Sequence, residues 1–550
     1  MQLDDVFRST VSRRSAIKAG AGAILASQAA MLEQLVVAPQ RPAFAAPAFS
    51  DIQFDVGRFM VPGTFSAPGT FNDGAGSVVA GFGPIFTLFA PAQLSRNPTR
   101  ADQAVLANAL STIEANFEAS PSGLLIVSVS YGVPYFNRLP QALVQSRIPR
   151  LLSNPNRLAL EESPAFPTDV VQGLVGGPGA LIPNVRKDRF NVNVVIESND
   201  VLFQFRSDSS FNLSNALAWL EGSNNLHGQT IPSPAFNGLL LFQTPRLQFM
   251  QPGLPRRMAD SAAAANPNLY EFHTRVNPNT SMVMGFVDQA VDSSAPSADV
   301  VTFVGSSHAR FTNARPGDYF DNGAICHFSH VIDDLYQFYS LPNQDANRPG
   351  GEPFTERVQY MFRSNQLGTT HGLPHEGNAD QFANGGGPAF INNVFQGTGA
   401  VVNGARDAGG LFTPSNSTLD ATFTGTPRVG HEAALQRVSR AADGTPVHIR
   451  NDGPGFDSMD VPAFRTFPGA NGVDVPAGSN QFKLQFLIFV PTSEFFRQLR
   501  VNVAAQDLQH QFLADQDDDN GLERFITATR RQNFLVPPRR HRSFPLIELT

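Results

Sequence analysis

Two hydrophobic periods recur along this chain, and they recur twice in a similar order. SVVAGFGPIFTLFAP (77–91) is apolar enough for a strand. TRADQAVLANALSTIEANFEAS (99–120) carries apolar residues at helical spacing behind a Thr/Asp start, so it predicts a helix. GLLIVSVSYG (123–132) predicts a buried strand, and FNVNVVIESND (190–200) alternates as a strand does. SNALAWLEG (214–222) predicts a short helix and NGLLLFQTPRLQFM (237–250) a strand. Residues 256–270 read as a connection.

The second half starts with GAICHFSHVIDDLYQFY (323–339), a strand running into a helix. FTERVQYMF (354–362) and EAALQRVSRAA (432–442) predict helical turns. FKLQFLIFVP (482–491) is the strongest strand pattern in the chain. PTSEFFRQLRVNVAAQDL (491–508) and NGLERFITA (520–528) read as helical. Each half thus follows the β-α-β…β-α order of the ferredoxin-like split motif. The expected fold is α+β: two ferredoxin-like units with antiparallel sheets, spanning 47–255 and 271–550. Residues 364–430 are Gly/Asn/Ser-rich and weakly patterned, a long loop insertion in the second unit.

Composition narrows the class. Charged residues make up only 16 % of the 550, and Gly (45) and Pro (42) are abundant, which favours short strands and ordered loops. Phe is frequent (46) against one Trp and seven Tyr, and most Phe should be core. The net charge is −7, and the only basic run is RRQNFLVPPRRHRSF (530–544), so nucleic-acid binding is not expected. That run follows the acidic DQDDDNGLE (515–523), and simple solvation of both is the expectation. The lone cysteine, Cys326, excludes an intrachain disulfide and a thiolate cluster.

The first 46 residues read as an address. Arg13 and Arg14 stand in an S-R-R-x-x-I-K context, an Ala/Gly-rich stretch follows, and RPAFAAPAF offers a small-residue cleavage site near Ala43–Ala46. This resembles a twin-arginine signal, so the chain is expected to be exported, to the periplasm or the exterior. No later segment has about 18 unbroken apolar residues, so no membrane span is expected in the mature chain.

Candidate chemistry lies in three short segments of the second unit. GFVDQ places Asp288 in an apolar run, where a buried carboxylate is costly unless used or paired. PVHIR holds His448 and Arg450, and FRTFPG holds Arg465 seventeen residues after the histidine. These residues, in this order, resemble the dye-decolorising peroxidase family. The distal motif of that family is G-x-x-D-G; Gly285, Phe286 and Asp288 match it, and Gln289 departs from it. The resemblance implies a dimeric α/β-barrel type of fold and a haem b cofactor. It implies His448 as the ligand of the haem iron, with Gly285, Phe286 and Arg450 in the cofactor site. Asp288 and Arg465 are implied as catalytic residues. VSYGVPYF and RFNVNVVIESND resemble strand ends of the family's first domain, and NGLERFITATRRQNFLVPP resembles its closing helix. Asn520, or Asp519 beside it, stands where the family has an acceptor for the proximal histidine.

The physics is compatible with that resemblance. Imidazole is a haem ligand, and the slot for a porphyrin is apolar. Seventeen residues reach about 56 Å at about 3.3 Å each, enough to pass round a porphyrin edge. Asp288 would move a proton between the oxygens of hydrogen peroxide, and Arg465 would stabilise the charge developing on O–O cleavage. The expected partners are hydrogen peroxide and a small reducing substrate, with a homo-oligomer also considered. The alternative is a catalytically weak protein of the same fold that binds haem or another apolar ligand. Other clusters count for less. His371, His375 and Glu376 lie around Pro374, which excludes a helical H-E-x-x-H site. The 515–523 run has the glycine of a calcium loop one place late. His327 and His330 are expected to alternate on a strand.

Overall fold

The computed structural model describes residues 28–37, 48–59, 61–65, 78–163, 190–276, 281–284, 296–339, 447–466, 472–496 and 525–550, apart from Arg58's side chain, the side chains of 61–82, and breaks at 191, 252 and 306–309; Leu25 is also described. In the first unit, β1 (Phe86–Leu94) leads to α1 (Arg100–Asn116) and β2 (Leu125–Gly132). Then follow β3 (Val201–Ser207), α2 (Ser210–Glu221), β4 (Arg246–Phe249) and α3 (Leu254–Ala265). In the second, β5 (Ala324–Asp333) is followed by β6 (Ile449–Arg450), β7 (Gly453–Asp457), β8 (Gln481–Val490) and β9 (Ile526–Val536).

These strands belong to one eleven-stranded sheet in the order β4-β1-β3-β2-β9-β5-β8-β6, with β7 also on β8. Numbered within each unit, with β6 and β7 counted as one interrupted strand on β8, the order is 4-1-3-2 in both, which is the ferredoxin-like arrangement the sequence predicted. The units join where β9 pairs antiparallel with β2, Phe534 opposite Gly132 and Leu535 opposite Tyr131. The seam is tight at Gly132. A Cβ there would lie 2.4 Å from both the Asn199 carbonyl oxygen and the Gln532 amide nitrogen.

The sheet curls until its two ends meet. A Cβ on Gly453 would touch the Gln248 side chain at 2.8 Å, and one on Gly455 would lie 3.1 Å from the Leu247 carbonyl oxygen. This brings β4 against β7 and encloses a lumen lined by both units. One face of the sheet packs on the helices in a large core that includes Leu88, Leu106, Leu110, Phe203 and Phe205. The other face, with Phe89, Leu202, Cys326, Phe328, Leu487, Phe489, Phe534 and Val536, forms a second core inside the lumen. Phe54 enters that second core and stacks on Phe489, ring centroids 4.7 Å apart.

Local chemistry explains the elements. The Thr99 hydroxyl accepts from the Asp102 amide while the Asp102 carboxylate accepts from the Thr99 amide, a reciprocal cap that starts α1. Leu106, Leu110 and Ile113 then form its buried stripe.

Several expectations are corrected. The alternating FNVNVVIESND supplies only a two-residue strand, Val195–Ile196, parallel to β9. The unit's third strand is the next segment, VLFQFRS, buried at every position because helices cover one face and the lumen the other. NGLLLFQTPRLQFM breaks into Leu240–Phe242 and β4 around Pro245. Residues 256–270 are not a plain connection. Leu254, Met258, Ala259 and Ala262 form the buried stripe of α3, whose first turn holds Pro255. NGLERFITATRRQNFLVPP does not close the fold as a helix, because Ile526–Val536 is strand β9. Its β-branched and alternating residues serve two buried faces.

The basic run is not simply solvated either. Arg542 and Arg539 both pair with Glu114 of α1, and Arg540 pairs with Asp51 and Asp321. The Tyr131 and Tyr135 hydroxyls donate to the carbonyls of Arg542 and Pro545 at 2.7 Å. Residues 537–550 therefore clasp the first unit. Within the expected address, residues 28–35 are helical, and the Glu33 carboxylate accepts from the Ser210 amide at 2.6 Å where α2 begins. No helix among the described residues is long and apolar enough to cross a membrane.

Glu114 is the test of the clasp. Burial raises its carboxyl's proton affinity, but Arg542 and Arg539 outweigh that and hold it below its ordinary value. Glu114→Ala leaves the buried Arg542 and half-buried Arg539 guanidinium groups without this carboxylate and is expected to cost about 3–5 kcal/mol, read as a lower urea midpoint with unchanged slope.

Candidate functional site

His448 lies half-buried just before β6, between fully buried Val447 and the strand. Arg450 pairs in register with Ile488 of β8, so by alternation it shares a sheet face with Phe486 and Ile488. Both belong to the helix-side core, Phe486 at its edge. Alternation puts His448 on that face too. Arg465 stands on a short exposed hairpin, Phe464–Arg465 against Asp474–Val475. Its side chain is 55 % exposed, and its guanidinium bonds the Asp474 carboxylate at 3.0 Å. Gly285, Phe286, Asp288, Gln289, Asp519 and Asn520 lie outside the described residues, as do His371, His375, Glu376 and the 364–430 and 515–523 segments. Among the described residues, no group of three His, Cys, Asp or Glu is placed to hold a metal ion.

His327 and His330 do alternate. His327 stacks on Phe496, with its ring nitrogens at 2.6 Å from Asn533 Oδ1 and Ser329 Oγ. His330 pairs in register with Gln485 and Arg530, and all three belong to the polar end of the lumen.

That end holds a close set of buried titratable side chains. His330 Nδ1 lies 2.6 Å from Thr529 Oγ1, and its Nε2 lies 3.2 Å from an Asp457 oxygen. A neutral ring then accepts from Thr529 at Nδ1 and donates to Asp457 at Nε2. Lys483, fully buried, donates to the Met459 carbonyl at 3.0 Å and stands 3.9 Å from Asp457. Next to them runs a chain of ion pairs. Arg246 pairs with Glu197, Glu197 lies 3.6 Å from Arg530, and Arg530 donates to Asp460 at 2.5 and 2.9 Å.

Burial sets the proton affinities. It pushes the His330 imidazolium down, against the pull of Asp457, so the ring is neutral near pH 7. It would also raise Asp457, but the charges and hydrogen bonds of His330 and Lys483 outweigh it and hold the carboxyl at about 2. Lys483 is lowered by burial to about 8, with Asp457 opposing. Asp333, on β5, is raised by burial to about 7, with Lys483 opposing. The sequence reading missed this cluster. Its one signal was Lys483, a charge set inside the most apolar strand pattern.

No family model matches this chain, and no curated protein matches it. Among solved structures it is similar to a putative DyP-type peroxidase from Shewanella oneidensis, at 13 % identity and TM-score 0.41, over 84 % of this chain and 94 % of that one. It is similar to the encapsulated DyP-type peroxidase from Mycobacterium smegmatis, at 14 % identity and TM-score 0.40, over 84 % and 96 %. A dye-decolorizing protein from V. cholerae matches at 12 % and 0.41, over 84 % and 96 %. The reading of function therefore rests on the chain's own residues.

The raised Asp333 predicts a pH dependence with a definite sign. Its folded value lies above the ordinary carboxyl value, so the folded state keeps a proton that the unfolded state loses. Stability should fall as pH rises from about 4 to about 7. Asp333→Asn should remove that slope and raise stability at pH 8, by on the order of 4 kcal/mol. Urea midpoints at pH 5 and pH 8 measure it.

Proposed function

We propose that this protein is a haem-dependent peroxidase that reduces hydrogen peroxide and oxidises small organic donors. The observation that carries the reading is the position of His448. It enters the second strand of the second unit half-buried, on the helix-side face, beside buried Val447. An imidazole at the edge of an apolar wall fits a haem-iron ligand.

Haem would supply the redox centre at which the peroxide bond breaks. His448 would hold its iron, with Arg450, Gly285 and Phe286 around it. Asp288 would carry the proton from one peroxide oxygen to the other, and Asn520 or Asp519 would accept from the second nitrogen of His448. An ordinary carboxyl value near 3.9 makes Asp288 most effective in acid. Trp219 is buried with its indole N–H on the Ile231 carbonyl, and the described tyrosines are buried or half-buried, which favours small donors over relay from surface aromatics. We also propose export by the twin-arginine route.

One observation favours the second reading, a haem- or apolar-ligand-binding protein with weak turnover. Arg465 is solvated and engaged by Asp474, whereas charge stabilisation at a reacting oxygen needs a guanidinium in a dry site.

Variants separate the readings. His448→Ala should abolish the Soret band of the haem-supplemented protein while the far-ultraviolet circular dichroism stays unchanged. Asp288→Asn should lower kcat for peroxide by about 100-fold or more. If Arg465→Leu does the same, the peroxidase reading stands in full. If it leaves a low kcat unaltered, the binding reading replaces it. A wild-type protein that takes up no haem sinks the peroxidase reading and leaves of the second only the binding of another apolar ligand.

A further inference from the structure

The lumen is divided along its length. Strands β3, β5, β8 and β9 each contribute apolar residues to one end and polar ones to the other. On β5 the inward run is Ala324, Cys326, Phe328, then His330; on β8 it is Phe489, Leu487, Gln485, Lys483. On β9 Val536 and Phe534 give way to Gln532 and Arg530. On β3 Leu202 gives way to Gln204. Antiparallel registers stack these into layers: Arg246 lies across from Phe89, and Phe89 across from Gln204. In the next layer Gln248 lies across from Thr87. Gln485, on the far wall, lies opposite Gly453, and Gly453 abuts Gln248.

Several of these groups have no partner among the described residues. They are Arg246 Nε and Nη1, Gln204 Nε2, Thr87 Oγ1, Gln248 Oε1 and Gln485 Oε1. All five residues are at most 2 % exposed. The amide orientations follow from partners on the other atom. Gln204 Oε1 accepts from Ser128, and Gln485 Nε2 reaches an Asp457 oxygen at 3.4 Å. Buried polar groups left unpaired in this number are rare, at about 1–3 kcal/mol each. Here they come from both units and lie in two adjacent layers. Arg246 sits 4.7 Å over the Phe328 ring, so the lumen beneath it is narrow and apolar.

We propose that the polar end of the lumen binds a small hydroxycarboxylate. Its carboxylate meets the donors, Arg246 and Gln204. Its hydroxyl donates to Gln248 or Gln485 Oε1, and the Thr87 hydroxyl serves either part. Arg246, Arg530 and Lys483 face Glu197, Asp457 and Asp460 there, with His330 neutral and Arg206 in the layer of Thr87. The bound anion would meet the Arg246 Nε and Nη1 groups, which no described residue engages. This site is separate from the helix-side face of His448, and the inference does not rest on haem binding.

Glycolate is the probe, with acetate and chloride as controls, titrated calorimetrically into the full chain. Glycolate should bind with a Kd of about 1 mM or tighter, at least ten-fold tighter than acetate, which lacks the donor for the amide oxygens. Arg246→Met should abolish binding. Thr87→Val should weaken it several-fold while leaving the urea midpoint unchanged or higher, because it removes a hydroxyl that no described residue pairs. If Arg246→Met does not fold, Thr87→Val decides alone. No glycolate heat at about ten times a millimolar Kd, equal affinity for acetate, or wild-type affinity in Thr87→Val would each overturn the proposal.

Discussion

A sheet that curls onto itself must fill the space it encloses, and here neither half of the chain can do so alone. Phe89 of the first unit meets Phe328 of the second with ring centroids 4.5 Å apart, and Arg246 reaches over the same Phe328 ring. Phe54, from the segment ahead of β1, completes the apolar end against Phe489. Each unit by itself would expose half of an apolar interior to water, so closure of the lumen makes the two halves one cooperative body. The same closure has a cost. Side chains at the polar end leave water, and that desolvation is offset in part by the ion pairs and amides that crowd that end.

The fold was legible wherever one face of an element was apolar and the other was not. Helix α1 announced itself through Leu106, Leu110 and Ile113 behind a Thr99–Asp102 cap. Strand β8 was plain from its run of Phe, Leu and Ile. Legibility failed where both faces are buried but one of them is polar. VLFQFRS and ITATRRQNFLV line the lumen with Gln204, Arg206, Arg530 and Gln532, so neither reads as a hydrophobic strand nor as a half-solvated one. The alternating FNVNVV drew attention instead because it satisfied the usual pattern, although Val195 is exposed. The candidate site was legible only in part. His448 could be found from its neighbours in sequence, while the lumen cluster joins residues from 197 to 530 that only strand register brings together.

Two chemistries therefore occupy opposite faces of one sheet. The helix-side face carries His448 and Arg450 at an apolar wall. The inner face carries His330, Asp457 and Lys483. Strand β8 is the partition between them: its odd-numbered inward residues and even-numbered outward ones belong to different environments one residue apart. A register slip of one place in β8 would exchange the two sets, driving Lys483 and Gln485 among the helices, so the pairing of β8 with β5 is specified by both faces at once.

The clasp around the first unit sets an order on how the chain comes into being. Tyr131 bonds a carbonyl 411 positions downstream, and Glu114 meets a guanidinium 428 positions away. A ribosome makes α1 and β2 long before it makes their fastenings. During that interval the nascent first unit has its sheet edge at β2 unpaired, a template for strands of other chains. Contacts so distant in sequence also make folding slow. A chaperone that shields the emerging β2 edge would thus act on the most vulnerable stage in the life of this protein.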